Sequence, residues 1–546
     1  DEAKRINSTN VTETTTNVYD SLNRLVNTTN FDHKTIAYAY DKQGNRTSVT
    51  DPDQRTSTYT YDARNRLVTA TTESGATTYD YWPDDLLKQI TYPNGTVADY
   101  SDPQAYDKAD RLLRIVNHSP HTATPISTYV YTYDANGNRL TQTESHGAID
   151  SGAAETTTYQ YDLLNRLTHV SYGPNGVNGA IAYTYDANGN RLTETGADPT
   201  APATHVARAY AYDRVNQLRS VIDQGEPNQS TAYFYDANGN QTAKVVGVVA
   251  TTLDANGNPQ VAVTGGITTT FDYDIRDEIA RAQELGGGTI TFDYDYNRQR
   301  VRKVSASTGE TRYLYDDDAT LLEYNGALQT TIKYNYGYAL LSLTAVNPIS
   351  NTRDSQFYLF DGLMSTADLA DDAGNVQVSY KYDAFGSMRR TVGASVNPKQ
   401  YTGHYYDTET DLHYFGGRYY DDNTGRFLSQ DLYLGQADTP PSLHRYLYAY
   451  ANPLRFVDLN GYEASEANAG QTSYSSGGST YQRGGYTYRV TTGSEGDDGI
   501  SNWINAEDLR MGGSTKIGSI SELARKAIHD GAQAIGEATQ DYVEKR

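Results

Sequence analysis

The chain has 546 residues, with 68 acidic against 45 basic side chains and a formal net charge of −23. That balance argues against an extended nucleic-acid or anionic-membrane surface, and no apolar run approaches the ~18 residues a membrane-crossing helix needs. The absence of cysteine excludes disulfides, thiolate metal sites and a cysteine nucleophile, and it fits an exported protein.

From residue 1 to 335 a Tyr-Asp dyad recurs, usually followed by Asn-Gly-Asn-Arg or a variant. Tyr133-Asp134-Ala135-Asn136-Gly137-Asn138-Arg139-Leu140 and Tyr185-Asp186-Ala187-Asn188-Gly189-Asn190-Arg191-Leu192 are the clearest copies. Sixteen dyads lie between Tyr19-Asp20 and Tyr420-Asp421, the first ten spaced 18 to 28 residues apart. Such a period signals a repeat architecture. Each copy reads as a β-hairpin. Tyr129, Tyr131 and Tyr133 alternate with Thr128, Val130 and Thr132, which places the rings on one strand face. Asn136-Gly137 predicts a tight turn with both central residues at positive φ. The 50 tyrosines against 10 Phe and 2 Trp suit a sheet whose rings stack across strands while their hydroxyls find partners. One hairpin is marginal alone, so stability is expected from neighbour-to-neighbour contact.

Residues 336–400 keep a looser, strand-rich form of the pattern. Residues 401–462 are denser in aromatics. Residues 463–500, rich in Gly and Ser, read as a linker. Residues 501–546 carry the only helix signals: Ser519 and Glu522 form a capping box, followed by apolar residues at helical spacing. The tail reads as a short segment with one or two helices, or as a compact effector of unknown activity. No leader is visible, but the chain opens inside repeat-like sequence and so reads as a fragment or a processed product.

The stretch Phe415-Gly416-Gly417-Arg418-Tyr419-Tyr420-Asp421-Asp422-Asn423-Thr424-Gly425-Arg426-Phe427-Leu428-Ser429-Gln430-Asp431 resembles the signature of the Rhs-associated core domain. Arg445-Tyr446-Leu447-Tyr448-Ala449-Tyr450-Ala451-Asn452-Pro453 through Asp458-Leu459-Asn460-Gly461 resembles its end. With the upstream repeats, residues 1–462 are similar to Rhs/YD-repeat proteins, including the C subunits of bacterial Tc toxins. The resemblance implies an all-β fold: tandem hairpins in a spiralling sheet, forming a hollow shell or part of one, with the core as an inward-curling plug. It also implies self-cleavage just after the core, with the released and often toxic segment held inside until a secretion system or Tc-type partner delivers it. Sixteen dyads predict an incomplete shell, or one that a partner chain closes.

By that resemblance the cutting residues are Asp431, Asp458 and Arg418, and the bond broken is Tyr462–Glu463. The chemistry is sound: two adjacent carboxylates share one proton, so one acts as acid while the other activates water. A guanidinium beside them orients a carboxylate or steadies an oxyanion. Read only as residues, Asp421, Asp422, Asp431 and Asp458 all sit in turn-like sequence where Asp caps amides, and Arg426 competes with Arg418. The family usually has Pro after both aspartates, where Leu432 and Leu459 stand here. It usually has an aliphatic residue before the cut, where Tyr462 stands.

No cofactor or metal is expected. His404 and His413 with Asp407 and Asp411 match no closed zinc spacing. Asp316-Asp317-Asp318 and Asp371-Asp372 read as acidic turns, and Asp254–Asn258 as a degenerate repeat. The expected function is therefore a secreted or cell-surface bacterial shell that holds its own C-terminal segment as cargo, without nucleic acid or a membrane span. The alternative is a non-enzymatic scaffold or adhesin whose Tyr-rich strands contact glycans or cells.

Overall fold

The computed structural model describes residues 2–6, 12–150, 153–255, 257–436, 439–462, 464–467, 480–483 and 486–489. The predicted helical segment 501–546 lies outside these residues, as does most of the predicted linker 463–500. The fold is all-β. Thirty-three strands, from Glu2–Ile6 to Met388–Gly393, form one sheet in which each strand pairs antiparallel with its neighbours in sequence.

The repeat motif has a mechanical reading. In the hairpin Ser127–Tyr133/Arg139–His146, Tyr129 and Tyr131 are buried and Tyr133 partly so, as the alternation requires. The turn differs from the expected one. Tyr133 pairs with Arg139 across a register shift, and of Asn136 and Gly137 only Gly137 has positive φ, at 88°. This is a bulged hairpin with a single left-handed position, not a two-residue turn. The reason is Asp134. Its Oδ1 accepts from the N–H groups of Asn136 (2.9 Å) and Asn138 (2.8 Å), and its Oδ2 from Asn138 Nδ2 (2.8 Å). These bonds stabilise the wider loop. Where Gly is missing, Asn takes the left-handed position, as at Asn65, Asn165 and Asn216, because its short polar side chain tolerates it.

Tyr and Arg of the motif join one hairpin to the next. The Tyr133 hydroxyl donates back to the Leu112 carbonyl at 2.8 Å, Tyr161 to Arg139 at 2.7 Å and Tyr185 to Leu167 at 2.6 Å. Arg111 donates forward through Nη1 to the Asp134 carbonyl at 2.8 Å while its Nε holds Asp107 at 2.7 Å. Not every dyad is such a unit. Tyr79 lies buried within strand Gly75–Tyr81, while Tyr81 makes the bond back to Leu67 at 2.7 Å. The turn there closes at Trp82, whose N–H donates to the Leu86 carbonyl.

The ribbon turns back over itself, so its early hairpins face strands near its end. Asn30 meets Tyr324 at 3.1 Å, Lys333 meets Asp51 at 3.0 Å, and Tyr131 accepts from the Gly362 N–H at 2.8 Å. Further along, Lys381 reaches Glu144, Asp150 and Glu155 at 3.4, 2.7 and 3.2 Å, and Arg389 also pairs with Glu155. Between these walls lies a shared apolar core in which Ile36, Tyr59, Ile90 and Tyr129 pack with Leu314, Leu322, Phe357 and Leu359. The hairpin Gln241–Leu253/Pro259–Tyr273 is longer than the others. Its turn is capped by Asp254, which accepts from the Asn258 N–H at 2.9 Å.

Candidate functional site

Residues 401–462 fold into a separate small sheet of Tyr405–Asp407, Leu412–Tyr414, Tyr419–Asp421 and Arg426–Phe427. Its centre is aromatic: Tyr401, Phe415, Tyr420, Phe427 and Tyr448 are all buried together. Three successive left-handed residues, Ala449, Tyr450 and Ala451, then turn the chain toward the strand Phe456–Asp458. L-residues adopt that conformation at a cost, so the surroundings must enforce it.

This unit seats on the turns of the repeats. Asn452 Nδ2 donates to Asn138 Oδ1 and to the Asn165 carbonyl, both at 2.8 Å. Arg426 donates to Asn190 Oδ1 at 3.0 Å and to the Asn216 carbonyl, and His444 bonds Asn190 at 2.8 Å. The Tyr446 hydroxyl donates to the Gly239 carbonyl at 2.8 Å. On the other side, Arg300 donates to Asp407, and the Tyr405 hydroxyl donates to Glu323 at 2.8 Å. The Asn-Gly-Asn motif thus has a second use that sequence reasoning missed: its side chains and carbonyls are the footing of the core unit.

Arg418, Asp431 and Asp458 come together. Arg418 Nη2 lies 2.7 Å from Asp431 Oδ2 and 3.2 Å from Asp458 Oδ2. Its Nη1 donates to the Arg445 carbonyl at 3.0 Å, its Nε donates to the Gly461 carbonyl, and its face stacks 3.6 Å from the Phe427 ring centroid. Asp458 Oδ1 accepts from the N–H groups of Asn460 (3.3 Å), Gly461 (2.7 Å) and Tyr462 (3.1 Å). Arg445 grips the backbone carbonyl of Asp431 at 2.8 Å. Burial pushes Asp431 up to about 6 against the pull of Arg418, with Asp458 raising it further. Burial raises Asp458 as well, and it lowers Arg418 from its ordinary value. The two carboxyls, both on one guanidinium nitrogen, titrate as a coupled pair.

The strand Phe456–Asp458 pairs with Ala464–Glu466, Asp458 opposite Ala464. Tyr462 sits with its N–H on Asp458; Glu463 lies outside the described residues. Arg426, the sequence competitor of Arg418, is occupied by Asn190 and Asn216, away from the pair.

The histidines serve packing. His404 stacks on Phe415 with ring centroids 3.7 Å apart and donates through Nε2 to the Leu459 carbonyl at 3.2 Å. Burial pulls it down to about 3, so it is neutral. His413 bonds Asp422 at 3.2 Å, and Asp407 is taken by Arg300 and Lys303. Among the described residues no cluster of three or more His, Cys, Asp or Glu is arranged to hold a metal. No described helix is long and apolar enough to cross a membrane.

The RHS Repeat model matches residues 19–56 and 40–77, and the Teneurin YD-shell model matches residues 147–454. The tRNA3(Ser)-specific nuclease WapA of Bacillus spizizenii is 28% identical over 372 residues, covering 67% of this chain and 12% of that protein. The tRNA nuclease WapA of Bacillus subtilis is 28% identical over 370 residues, again 67% and 12%. The Double-stranded DNA deaminase toxin A of Burkholderia cenocepacia is 28% identical over 168 residues, 29% of this chain and 11% of that protein. The chain thus spans about an eighth of the length of these curated relatives. Among solved structures, the TcdB2-TccC3-TEV crystal structure aligns at 18% identity and TM-score 0.35, covering 82% of this chain and 27% of that one. The Photorhabdus luminescens Tc holotoxin pore aligns at 14% and 0.29, covering 86% and 30%. With a matching model over more than half its length, the chain belongs to the Teneurin YD-shell family and carries RHS repeats ahead of the matched region.

Proposed function

We propose that this chain is shell wall and plug of a bacterial toxin-delivery protein, and that the plug cuts its own chain once, after Tyr462. The observation that carries the reading is Arg418 bridging Asp431 and Asp458 while Asp458 holds the N–H of Tyr462. Water attacks the Tyr462 carbonyl carbon. One carboxylate takes the water proton, and the partner, protonated, gives its proton to the Glu463 nitrogen as the C–N bond breaks. The products are a Tyr462 carboxyl and a Glu463 amine. Reaction within one chain makes the effective concentration high, so slow chemistry suffices for a single turnover. The segment that follows Tyr462 is the cargo, and a secretion system or Tc-type partner delivers it from an exported particle. The names of the relatives, nucleases and a deaminase toxin, support a toxic cargo in bacterial competition.

A second reading concerns the bond. Arg418 Nε donates to the Gly461 carbonyl and Asp458 Oδ1 accepts from the Tyr462 nitrogen, so the same groups also flank Gly461–Tyr462. Intact-mass measurement of the purified protein decides. A fragment ending at Tyr462, lost in Asp458→Asn, supports the first reading, and one lighter by a tyrosine supports the second. An uncut wild-type chain rejects both.

A further inference from the structure

We infer that the site selects an aromatic residue at position 462, and that Gly417 is the residue that admits it. A Cβ placed on Gly417 would lie 2.2 Å from Tyr462 Cζ, 2.4 Å from Cε2 and 2.6 Å from Oη. The Tyr462 ring therefore lies directly on the Gly417 backbone, closer than any other residue type would allow. Gly417 is fixed in turn: its N–H donates to the Asn460 carbonyl at 2.8 Å, within the loop that Asp458 organises. Gly461 closes the arrangement. Its φ is +80°, and a Cβ there would meet Arg418 N at 2.9 Å and Gly417 N at 3.0 Å.

Beyond the ring lies a cavity of about 230 Å³ whose lining includes Tyr315, Tyr336, Phe360, Tyr405, Tyr414 and Phe415. Arg298, Asp317 and Lys399 share the walls with these rings, and Tyr462 is part of the lining. Burial pushes the Tyr462 phenol up to about 12, with the nearby Glu278 carboxylate adding to it, so the hydroxyl stays neutral. A flat ring covers the glycine backbone and stands beside the aromatic part of the lining, whereas an aliphatic side chain would leave both with fewer contacts. The seat fixes residue 462 relative to Asp458 and Arg418 whichever of its two flanking peptide bonds is cut. Gly417 and the ring are positioning elements: neither exchanges a proton.

This rests on the self-cleavage reading, and the experiment separates the two. Cleavage rates are followed by gel and mass for wild type, Tyr462→Phe, Tyr462→Leu, Tyr462→Ala, Gly417→Ala and the double variant Gly417→Ala/Tyr462→Ala. Tyr462→Phe is expected to cut at least about tenfold faster than Tyr462→Leu or Tyr462→Ala, and Gly417→Ala to slow cutting by about tenfold or more through overpacking. In the double variant the added methyl has no ring to strike, so its rate equals that of Tyr462→Ala alone. Additive penalties, or Gly417→Ala cutting like wild type, overturn the inference. The same substitutions on an Asp458→Asn background, read by melting temperature, test the seat without cutting: Gly417→Ala lowers Tm when Tyr462 is present and leaves it unchanged when Tyr462→Ala has removed the ring. If that coupling holds but wild type never cuts, the self-cleavage reading falls and the specificity with it. If wild type cuts and the coupling is absent, only the specificity falls.

Discussion

Arg46 donates through Nη1 to both carboxylate oxygens of Asp316, at 3.0 and 2.8 Å, although 270 positions separate them. Both side chains are buried, and the Tyr38 and Tyr59 rings lie 5.5 and 5.7 Å from the guanidinium carbon. Removing one partner of a buried pair leaves an uncompensated charge. Asp316→Ala is therefore expected to cost about 3–5 kcal/mol, and Arg46→Met/Asp316→Leu distinctly less than the single change. Urea denaturation of the three proteins checks this; equal losses would contradict it.

The left-handed turn glycines are not equivalent. Gly44 has φ +93° and nothing within 4 Å of an added methyl, whereas a methyl on Gly239, φ +87°, would lie 2.2 Å from Gln430 Nε2 and 2.6 Å from the Tyr446 hydroxyl. Gly44→Ala should cost only the backbone term, about 1–2 kcal/mol. Gly239→Ala should add about 1–3 kcal/mol of overpacking and loosen residues 401–462 from the sheet. Limited proteolysis within that unit distinguishes the two variants.

The cleavage rate should fall with rising pH. The Asp431/Asp458 pair needs one shared proton, and Asp431 is held up to about 6. Cutting is therefore expected to be faster at pH 5.5 than at pH 8, falling by about tenfold per unit once the last proton leaves the pair. Asp431→Asn or Asp458→Asn should abolish it at every pH. A rate rising through pH 7 would contradict the shared proton.

Asp383 offers a separate linkage test. Burial pushes it up to about 7, with Asp422 adding to the shift, while its Oδ1 accepts from the Phe385 and Ser387 N–H groups at 2.8 and 2.9 Å. A carboxyl raised in the folded state stabilises below its ordinary value near 3.8, and that contribution is lost as pH rises through about 7. Asp383→Asn keeps the accepting oxygen without the titration. Its melting temperature should gain on wild type between about pH 4 and 7 and run parallel above. A constant difference across that range would count against the shift.

The local part of this structure was legible in the sequence, and the distant part was not. The period-two rings at Tyr129, Tyr131 and Tyr133 and the Asp134 turn announce hairpins because every partner lies within a few residues. The turn geometry was misread because Asn-Gly commonly means a two-residue turn, and nothing in the dipeptide reveals that Asp134 widens the loop. Tyr79-Asp80 misled for a related reason: in a strand with tyrosines at both 79 and 81, the dyad marks the wrong one. The meetings of Arg46 with Asp316 and of Lys381 with Glu155 carry no sequence signal, since they depend on how the whole ribbon bends. Arg418, Asp431 and Asp458 are singled out in the sequence only by a family pattern; their meeting on one guanidinium depends on the left-handed Ala449–Ala451 turn, which no residue there advertises.

The tyrosine and arginine bonds link each hairpin only to the ones beside it, and a ribbon held that way alone would unravel from its ends, one repeat after another. The contacts between early and late strands change that outcome. A repeat near residue 46 cannot leave without also freeing one near residue 316, so under a stretching force the wall should hold as a unit and then give way in one large step rather than a ladder of small ones.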